Sequence, residues 1–569
     1  MCGIFGGVGA TQQEVRESLE LIRRGNDGIT TREYGDVVLG ARRHLVKQSH
    51  KPGVAPGESD QPYESEDGQI HLVFNGELYN FAELRDELQS AGTTFSTEGD
   101  TEVFLRMYEA YGEEFCDDPR KFDSLFSVAV HDQSKNKLLI TRDWPGRIPL
   151  FYYYDRDAEV FLFSSELKGF AAINQISLAD PVELVPGTMA ILDLTSFELS
   201  IRPVFSPQPV KTEHPLSEVS REFHQRLKLS AANRTMGDVP ICTMLSGGID
   251  SVMTSYYVLS SIDFNRVDFE PTSYVYAISD YESEDVRRAK NAAEGFEDIG
   301  LTLKEIRTSG DQLVEDLPDI IHTFEMRKIK ALSVYPLPIY YYLGPVMHAD
   351  GFKVTIGGHG VDELLGAYDA WKELKASHKA QVTLKSRLAF INSIYENMMR
   401  RASIIFMNRG PIEARFPFLE TNVCEYALGI DRRWLSMSAE NVEYLVGEMD
   451  KRTGPDHDWT DQMHETHRYL SAYLDNNGNH PEDADEETVY EMEKLFWKLP
   501  LIGAGIHASD ESFLPIKVLF NPKLRGQHGS GITSLEGRVL DRYRNLGPTD
   551  QEIFRQMVAT AFNIEAEVA

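Results

Sequence analysis

Seven residues, Leu245-Ser246-Gly247-Gly248-Ile249-Asp250-Ser251, constrain this chain more than any others. The apolar run at 239–245 leads into them and predicts a buried parallel strand, and a helical pattern from about Val252 leaves them. Two glycines allow a sharp turn. The N–H groups exposed at the helix start, together with the hydroxyls of Ser246 and Ser251, suit a phosphate. Asp250 adds a carboxylate where a hard cation such as Mg²⁺ could bridge protein and phosphates. Taken alone, the loop also reads as a plain glycine turn between strand and helix. There is no GxxxxGK[ST], so the Lys-bearing nucleotide loop is excluded.

A second strand end repeats the design. The apolar run at 352–356 ends in Gly357-Gly358-His359-Gly360-Val361-Asp362-Glu363. From about Pro215 onward helices alternate with apolar strands, the texture of a parallel sheet. The C-terminal ends of such strands open onto one crevice, so Asp250 and Asp362 are expected to meet there. The run at 273–278 supplies another strand, ending near Ala277, and Ser283 beyond it reads equally well as an ordinary helix N-cap.

The bulk properties exclude more than they assign. With 569 residues, 42% of them hydrophobic, there is material for two large cores. A net charge of −32 argues against general affinity for nucleic acid or anionic lipid. The four cysteines form no CxxC pair, so neither a disulfide framework nor a zinc site is expected, and a cytoplasmic setting is. No apolar run approaches the length of a membrane span.

Cys2 draws attention at the other end. Removal of Met1 would leave a thiol beside a free α-amine, a nucleophile with its own base. A small buried residue at a strand start is the competing reading. Downstream, the strand at 71–74 is expected to end in Asn75-Gly76-Glu77-Leu78-Tyr79-Asn80, followed by a helix over 81–88. A side-chain amide and a glycine N–H at one strand end could form an oxyanion hole.

These pieces, with Arg24-Gly25-Asn26-Asp27, Arg42-Arg43, Gln61-Pro62 and Gly99-Asp100-Thr101-Glu102, resemble the N-terminal-nucleophile glutaminase domain of the glutamine-dependent asparagine synthetase family. The resemblance implies an α+β fold of αββα sandwich type over 2–205. It also implies that Cys2 attacks the glutamine amide, with Asn75 and Gly76 N–H stabilising the oxyanion. Arg43, or its neighbour Arg42, would hold the glutamine α-carboxylate, and Glu77 and Asp100 its α-ammonium. Ser206-Pro207-Gln208-Pro209 reads as the linker. In the second half the loop at 246–251 resembles the SGGxDS loop of the ATP pyrophosphatases, and Glu413-Ala414-Arg415-Phe416-Pro417-Phe418-Leu419-Glu420 resembles the family's Glu-x-Arg-x-Pro-Phe-Leu-Asp. This implies an α/β domain over 215–569, with ATP held by Leu245, Ser246, Gly247, Gly248, Asp250, Ser251, Ala277, Gly357, Gly358 and Lys523. Asp250 and Asp362 would bind Mg²⁺, and Lys498 would neutralise the pyrophosphate leaving group.

Departures mark the acceptor site. The synthetases carry Glu where this chain has His359, and their β-lactam-forming relatives carry Tyr. His359 and Glu325 are the acceptor-site candidates. The function implied is amide formation through an acyl-adenylate, with glutamine, ATP and a carboxylate, aspartate by family default, as small-molecule partners. No nucleic acid or membrane partner is expected, and homodimerisation is left open. The alternatives are another carboxylate acceptor, a β-lactam-synthetase-like cyclase, and a non-catalytic regulator binding glutamine or nucleotide.

Overall fold

Along the first strand, β1 (Gly3–Val8), consecutive side chains face different cores. Ile4 packs among Leu39, Val73, Ala129 and Phe163, while Phe5 points the other way, edge-on to Phe170 and toward Val15 and Leu19. Side chains of a strand alternate between faces, so a strand buried on both sides needs a layer on each. The computed structural model describes residues 1–46, 61–327, 331–367, 384–452, 459–511, 514, 518–520 and 530–564. Lys523 lies outside them.

The layers are two six-stranded antiparallel sheets with helices outside both. One sheet joins β1 to β2 (Ile29–Tyr34), β3 (Val37–Arg42), β8 (Phe151–Asp155), β9 (Val160–Ser164) and β10 (Val182–Glu183), in the order β10-β8-β9-β1-β3-β2. The other joins β4 (Tyr63–Glu64), β5 (Ile70–Leu78), β6 (Ser124–Asp132), β7 (Lys137–Arg142), β11 (Thr188–Asp193) and β12 (Glu198–Pro203), in the order β12-β11-β7-β6-β5-β4. Val73, Ala129 and Ile140 fill the space between the sheets. Their neighbours Leu72, Phe74, Val128 and Val130 face α2 (Phe81–Ser90) and α3 (Asp100–Tyr111), and α1 (Gln12–Leu21) covers the first sheet. Thr11 starts α1 through a capping box with Glu14.

Beyond the linker, α4 (Leu216–Arg234) precedes a five-stranded parallel sheet. Its strands are β13 (Ile241–Met244), β14 (Thr272–Ile278), β15 (Thr302–Thr308), β16 (Val354–Ile356) and β17 (Glu413–Arg415), in the order β15-β14-β13-β16-β17. The intervening helices include α5 (Ile249–Ser260), α6 (Glu284–Glu294) and α7 (Gly310–Phe324). Every residue of β14 is buried, as a strand covered on both faces requires. Ser283 caps α6, accepting the Val286 N–H at 3.2 Å. Residues 476–485 join the helices Asp461–Asp475 and Glu486–Phe496, and His480 there meets the Tyr469 hydroxyl at 2.8 Å.

The two halves are joined by buried charge. Arg24 reaches the hydroxyl of Ser403 at 2.9 Å and Glu166 at 3.5 Å. Arg234 is held by both oxygens of Asp123, and Trp144 donates to Thr421 at 3.0 Å. Glu325, an acceptor-site candidate, lies at this junction. It follows α7 in a left-handed conformation (φ 56°) that turns its carboxylate to the N-terminal half. There it accepts the Leu167 N–H at 2.7 Å and pairs with Lys168 at 3.2 Å. Lys168 also meets Glu166 at 2.9 Å. Burial works against the Lys168 charge, but the two carboxylates outweigh it and raise its pKa.

Removing one partner of a buried ionic group costs about 3–5 kcal/mol, because the other charge stays behind unpaired. Lys168→Met should therefore lower the thermal midpoint by several degrees, and Lys168→Met combined with Glu325→Gln should recover only part of the loss, since Glu166 keeps its charge. Thermal and urea denaturation of the full chain check both.

Candidate active site

From β13 the chain moves outward through β14 to β15, then returns to lay β16 and β17 on the other flank. The reversal falls between β13 and β16, which run in parallel register from Ile241↔Val354 to Thr243↔Ile356. A reversal of this kind leaves a crevice at the strand C-termini, with no connection crossing it. The loops predicted to bind phosphate leave these two strands and flank that crevice.

Their close approach depends on glycine. A Cβ on Gly358 would sit 2.7 Å from the Asp250 carbonyl oxygen, and one on Gly247 (φ +73°) would strike the Arg288 backbone at 2.3 Å. The serines brace the first loop from within: Ser251 Oγ receives the Ser246 N–H at 3.1 Å and donates to the Gly248 carbonyl at 2.9 Å. Gly248 caps α5 without a side chain, leaving the first-turn N–H groups toward the crevice. Leu245 is tied to the Tyr274 carbonyl at 2.9 Å, and Ala277 is buried near the C-terminal end of β14.

Lys498 closes the crevice. Its Nζ lies 2.5 Å from Asp250 and 2.8 Å from Asp362, and the residue is only 3% exposed. Burial opposes the charge, yet the two carboxylates more than compensate and raise its pKa above that of a free lysine. Asp250 and Asp362 are thus drawn to one cation. Two carboxylates are oxygen ligands of the kind Mg²⁺ takes alongside phosphates and water, so the residues present fit that metal. Nearby, burial pushes the Asp285 carboxyl up to about 7 against the pull of Arg288.

The second acceptor candidate, His359, lies over Gly357 in an aromatic setting. Its Nε2 is 2.8 Å from the Tyr340 hydroxyl, and its ring stands edge-on to Phe416 at 5.2 Å. Tyr340 is itself edge-on to Phe406. Neither Tyr340 nor Phe416 was anticipated as a neighbour of His359. The only available signals were an unbroken Tyr340-Tyr341-Tyr342 and the phenylalanines around Pro417.

In the N-terminal half Asn75 and Gly76 lie inside β5 rather than at its end. The ladder to β6 continues through Asn75↔Ser127 and Gly76↔Phe126 as far as Leu78. The Asn-Gly pair is no turn here, because a Cβ on Gly76 would clash with the Leu125 carbonyl of the partner strand. Cys2 is buried, and its thiol accepts the His44 backbone N–H at 3.5 Å. Two residues on, the Ile4 N–H and the Asn75 amide converge on the hydroxyl of Ser165. Asp100 receives the Leu78 N–H at 3.1 Å, beside Glu77. Of the two arginines, Arg42 is spent on backbone carbonyls of Gly25, Leu19, Glu20 and Ile22 around the end of α1, while Arg43 is buried.

A link from the C-terminal half reaches this region. The Met1 ammonium lies 2.5 Å from Glu413, which pairs with Arg415 at 2.7 Å, and Arg415 stands 3.9 Å from Glu77. Burial opposes the Glu413 charge, but the ammonium and Arg415 hold its pKa down at about 2. Glu77 moves the other way, raised by burial and by the carboxylates of Glu413 and Asp100. Cationic help from Arg415 only partly offsets this, so Glu77 sits in a place that would welcome another positive charge.

Known proteins resemble the chain in both halves. A glutamine amidotransferase domain model matches residues 1–191 and an asparagine synthase model residues 222–403. The chain is similar to the glutamine-hydrolyzing asparagine synthetase of Sandersonia aurantiaca, 27% identical over 76% of this chain and 79% of that one. It is 26% identical to that of Zea mays over 76% and 71% of the two chains. A putative glutamine-hydrolyzing asparagine synthetase of Methanocaldococcus jannaschii is 28% identical over 69% and 71%.

Lys498→Met would leave Asp250 and Asp362 facing each other without their shared cation. The variant should melt below the parent in EDTA, and Mg²⁺ should raise its midpoint by more than the parent's, since a ligand bound to the native state stabilises it. Thermal scans with and without Mg²⁺ read both differences.

Proposed function

The chain belongs to the glutamine-dependent asparagine synthetase family, and from that premise we propose that it is a two-site ligase that takes ammonia from glutamine and uses ATP to form an amide on a carboxylate. The observation that carries this reading is Lys498 held between Asp250 and Asp362 at the crevice between β13 and β16. It gathers a lysine and two carboxylates around a glycine loop suited to phosphates.

In the glutaminase half, removal of Met1 exposes the α-amine of Cys2. That amine takes the thiol proton as the sulfur attacks the glutamine side-chain amide. Charge then develops on the former carbonyl oxygen, where the Asn75 side chain and the Gly76 N–H would stabilise it. Collapse releases ammonia and leaves a glutamyl thioester, which water cleaves to glutamate. Arg43 suits the α-carboxylate as a guanidinium fork, and Glu77 with Asp100 the α-ammonium.

In the synthetase half the N–H groups at the start of α5 hold ATP phosphates. An acceptor carboxylate oxygen attacks the α-phosphorus, pyrophosphate departs, and an acyl-adenylate forms. Lys498 offsets negative charge on the leaving group, as a preorganised cation does in a buried site. Mg²⁺ on Asp250 and Asp362, when bound, would supply further charge neutralisation at the phosphates. Ammonia from the first site attacks the acyl carbon and displaces AMP.

Aspartate is the default acceptor, from the names of the relatives. The His359–Tyr340 pair and its phenylalanine neighbours favour a second reading, the same chemistry on a different carboxylate. ATP-dependent AMP release across a panel of carboxylic acids with glutamine separates the two. AMP formed without glutamine consumption would indicate a cyclase instead. Cys2→Ala should reduce glutamine hydrolysis to background while sparing ammonia-driven AMP release. Loss of both activities together in a folded variant would overturn the two-site reading.

A further inference from the structure

A carboxamide in an oxyanion hole works only one way round. Its N–H stabilises the developing charge, whereas its carbonyl oxygen would repel it. What fixes the Asn75 amide is therefore as important as the amide itself, and its surroundings contain a device for doing so.

Ser165 directly follows β9 and is locked to Ile4, two residues from Cys2. Its backbone N–H donates to the Ile4 carbonyl at 2.9 Å, and its hydroxyl accepts the Ile4 N–H at 2.9 Å. The same hydroxyl lies 3.2 Å from the Asn75 Nδ2. Ile4, Asn75 and Ser165 are all fully buried. In this arrangement the Asn75 Oδ1 is buried without a hydrogen-bond partner among the described residues. The Ser165 proton has no acceptor among the described residues either. A half-turn of the amide resolves both mismatches: the hydroxyl donates to Oδ1, and Nδ2 comes to the place Oδ1 held. Nitrogen and oxygen of an amide are nearly the same size, so the turn needs no new space.

We propose that Ser165 is the positioning residue of the oxyanion hole, because its hydroxyl, already accepting from Ile4, presents its proton to Asn75 Oδ1 and so directs Nδ2 at the developing oxyanion. The inference rests on the reading of Asn75 as an oxyanion donor. Ser165 touches no reacting atom; it acts through Asn75. It also ties that donor to the strand carrying the nucleophile, so both halves of the hole share one reference point.

The test uses the full chain and glutamate release from glutamine, with Ser165→Ala, Ser165→Thr, Asn75→Ala and the Ser165→Ala/Asn75→Ala pair. Losing an oxyanion donor costs on the order of 10²–10³ in kcat, and an unoriented donor should cost part of that. Ser165→Ala should lower kcat by roughly 10- to 100-fold with KM changed by less than about twofold. Ser165→Thr, which keeps the hydroxyl, should restore most of the loss. In the Asn75→Ala background Ser165→Ala should have little further effect, since coupled residues are not additive. An unchanged kcat in Ser165→Ala, a change confined to KM, no rescue by Ser165→Thr, or losses that multiply in the pair would each overturn the proposal. Should Ser165→Ala fail to fold, Ser165→Cys, with its weaker donor and acceptor, carries the same kcat test. Asn75→Ala is the separate control: if hydrolysis is unmoved by it, the oxyanion reading itself falls.

Discussion

Charge buried away from water must be matched by opposite charge or by hydrogen bonds, and both proposed sites of this chain depend on that requirement. At the crevice between β13 and β16 the unmatched partners would be Asp250 and Asp362. Lys498, brought from 248 residues beyond Asp250, is what allows them to lie together. At the junction of the two halves the same requirement is met repeatedly, by Arg24 with Glu166, Lys168 with Glu325, and Arg234 with Asp123. Each of these pairs has one member in each half or sits against a partner from the other. An apolar interface could slide. One made of buried, directional ion pairs has a single register, because a displaced partner leaves a charge exposed to low dielectric.

The parallel sheet contributes the other fixed geometry. Because β13 is where the strand order reverses, the loops after β13 and β16 necessarily border one crevice. Glycine then permits a distance that no other residue would, with Gly358 against the Asp250 backbone. The phosphate loop is thus held from three sides: by its own serines, by α6 behind Gly247, and by the neighbouring glycine loop.

How much of this was legible in the sequence follows from the range of each interaction. Local chemistry was readable: the strand–glycine–helix pattern at 246–251, the N-cap at Ser283, and the meeting of two strand-end loops implied by a parallel sheet. Interactions set by distant partners were not. The contacts of Glu325 are of this kind: a left-handed turn after α7 brings it to Lys168. Asn75-Gly76 carries a turn signature, yet β6 alongside extends the strand through it, and Gly76 is there for strand proximity. The choice between Arg42 and Arg43 could not be made by periodicity alone; the carbonyls around the end of α1 engage Arg42. Lys498 was found only through a family likeness, since nothing in its own neighbourhood announces two aspartates. Ser165, Glu413 and Tyr340 carry no local signal for the contacts they make.

The last connection is between the sites themselves. β17 lies beside β16, pairing Ile356 with Arg415, and the short helix Val361–Leu365 that follows β16 carries Asp362. One short strand thus borders the crevice beside β16, while its Arg415 reaches Glu77 in the other half. Any shift of β17 that follows a rearrangement at Asp362 must break buried ion pairs or carry them along. Arg415 favours the ionised form of both carboxylates; they diverge because burial and the carboxylates of Glu413 and Asp100 raise Glu77, whereas at Glu413 a nearby ammonium adds to Arg415.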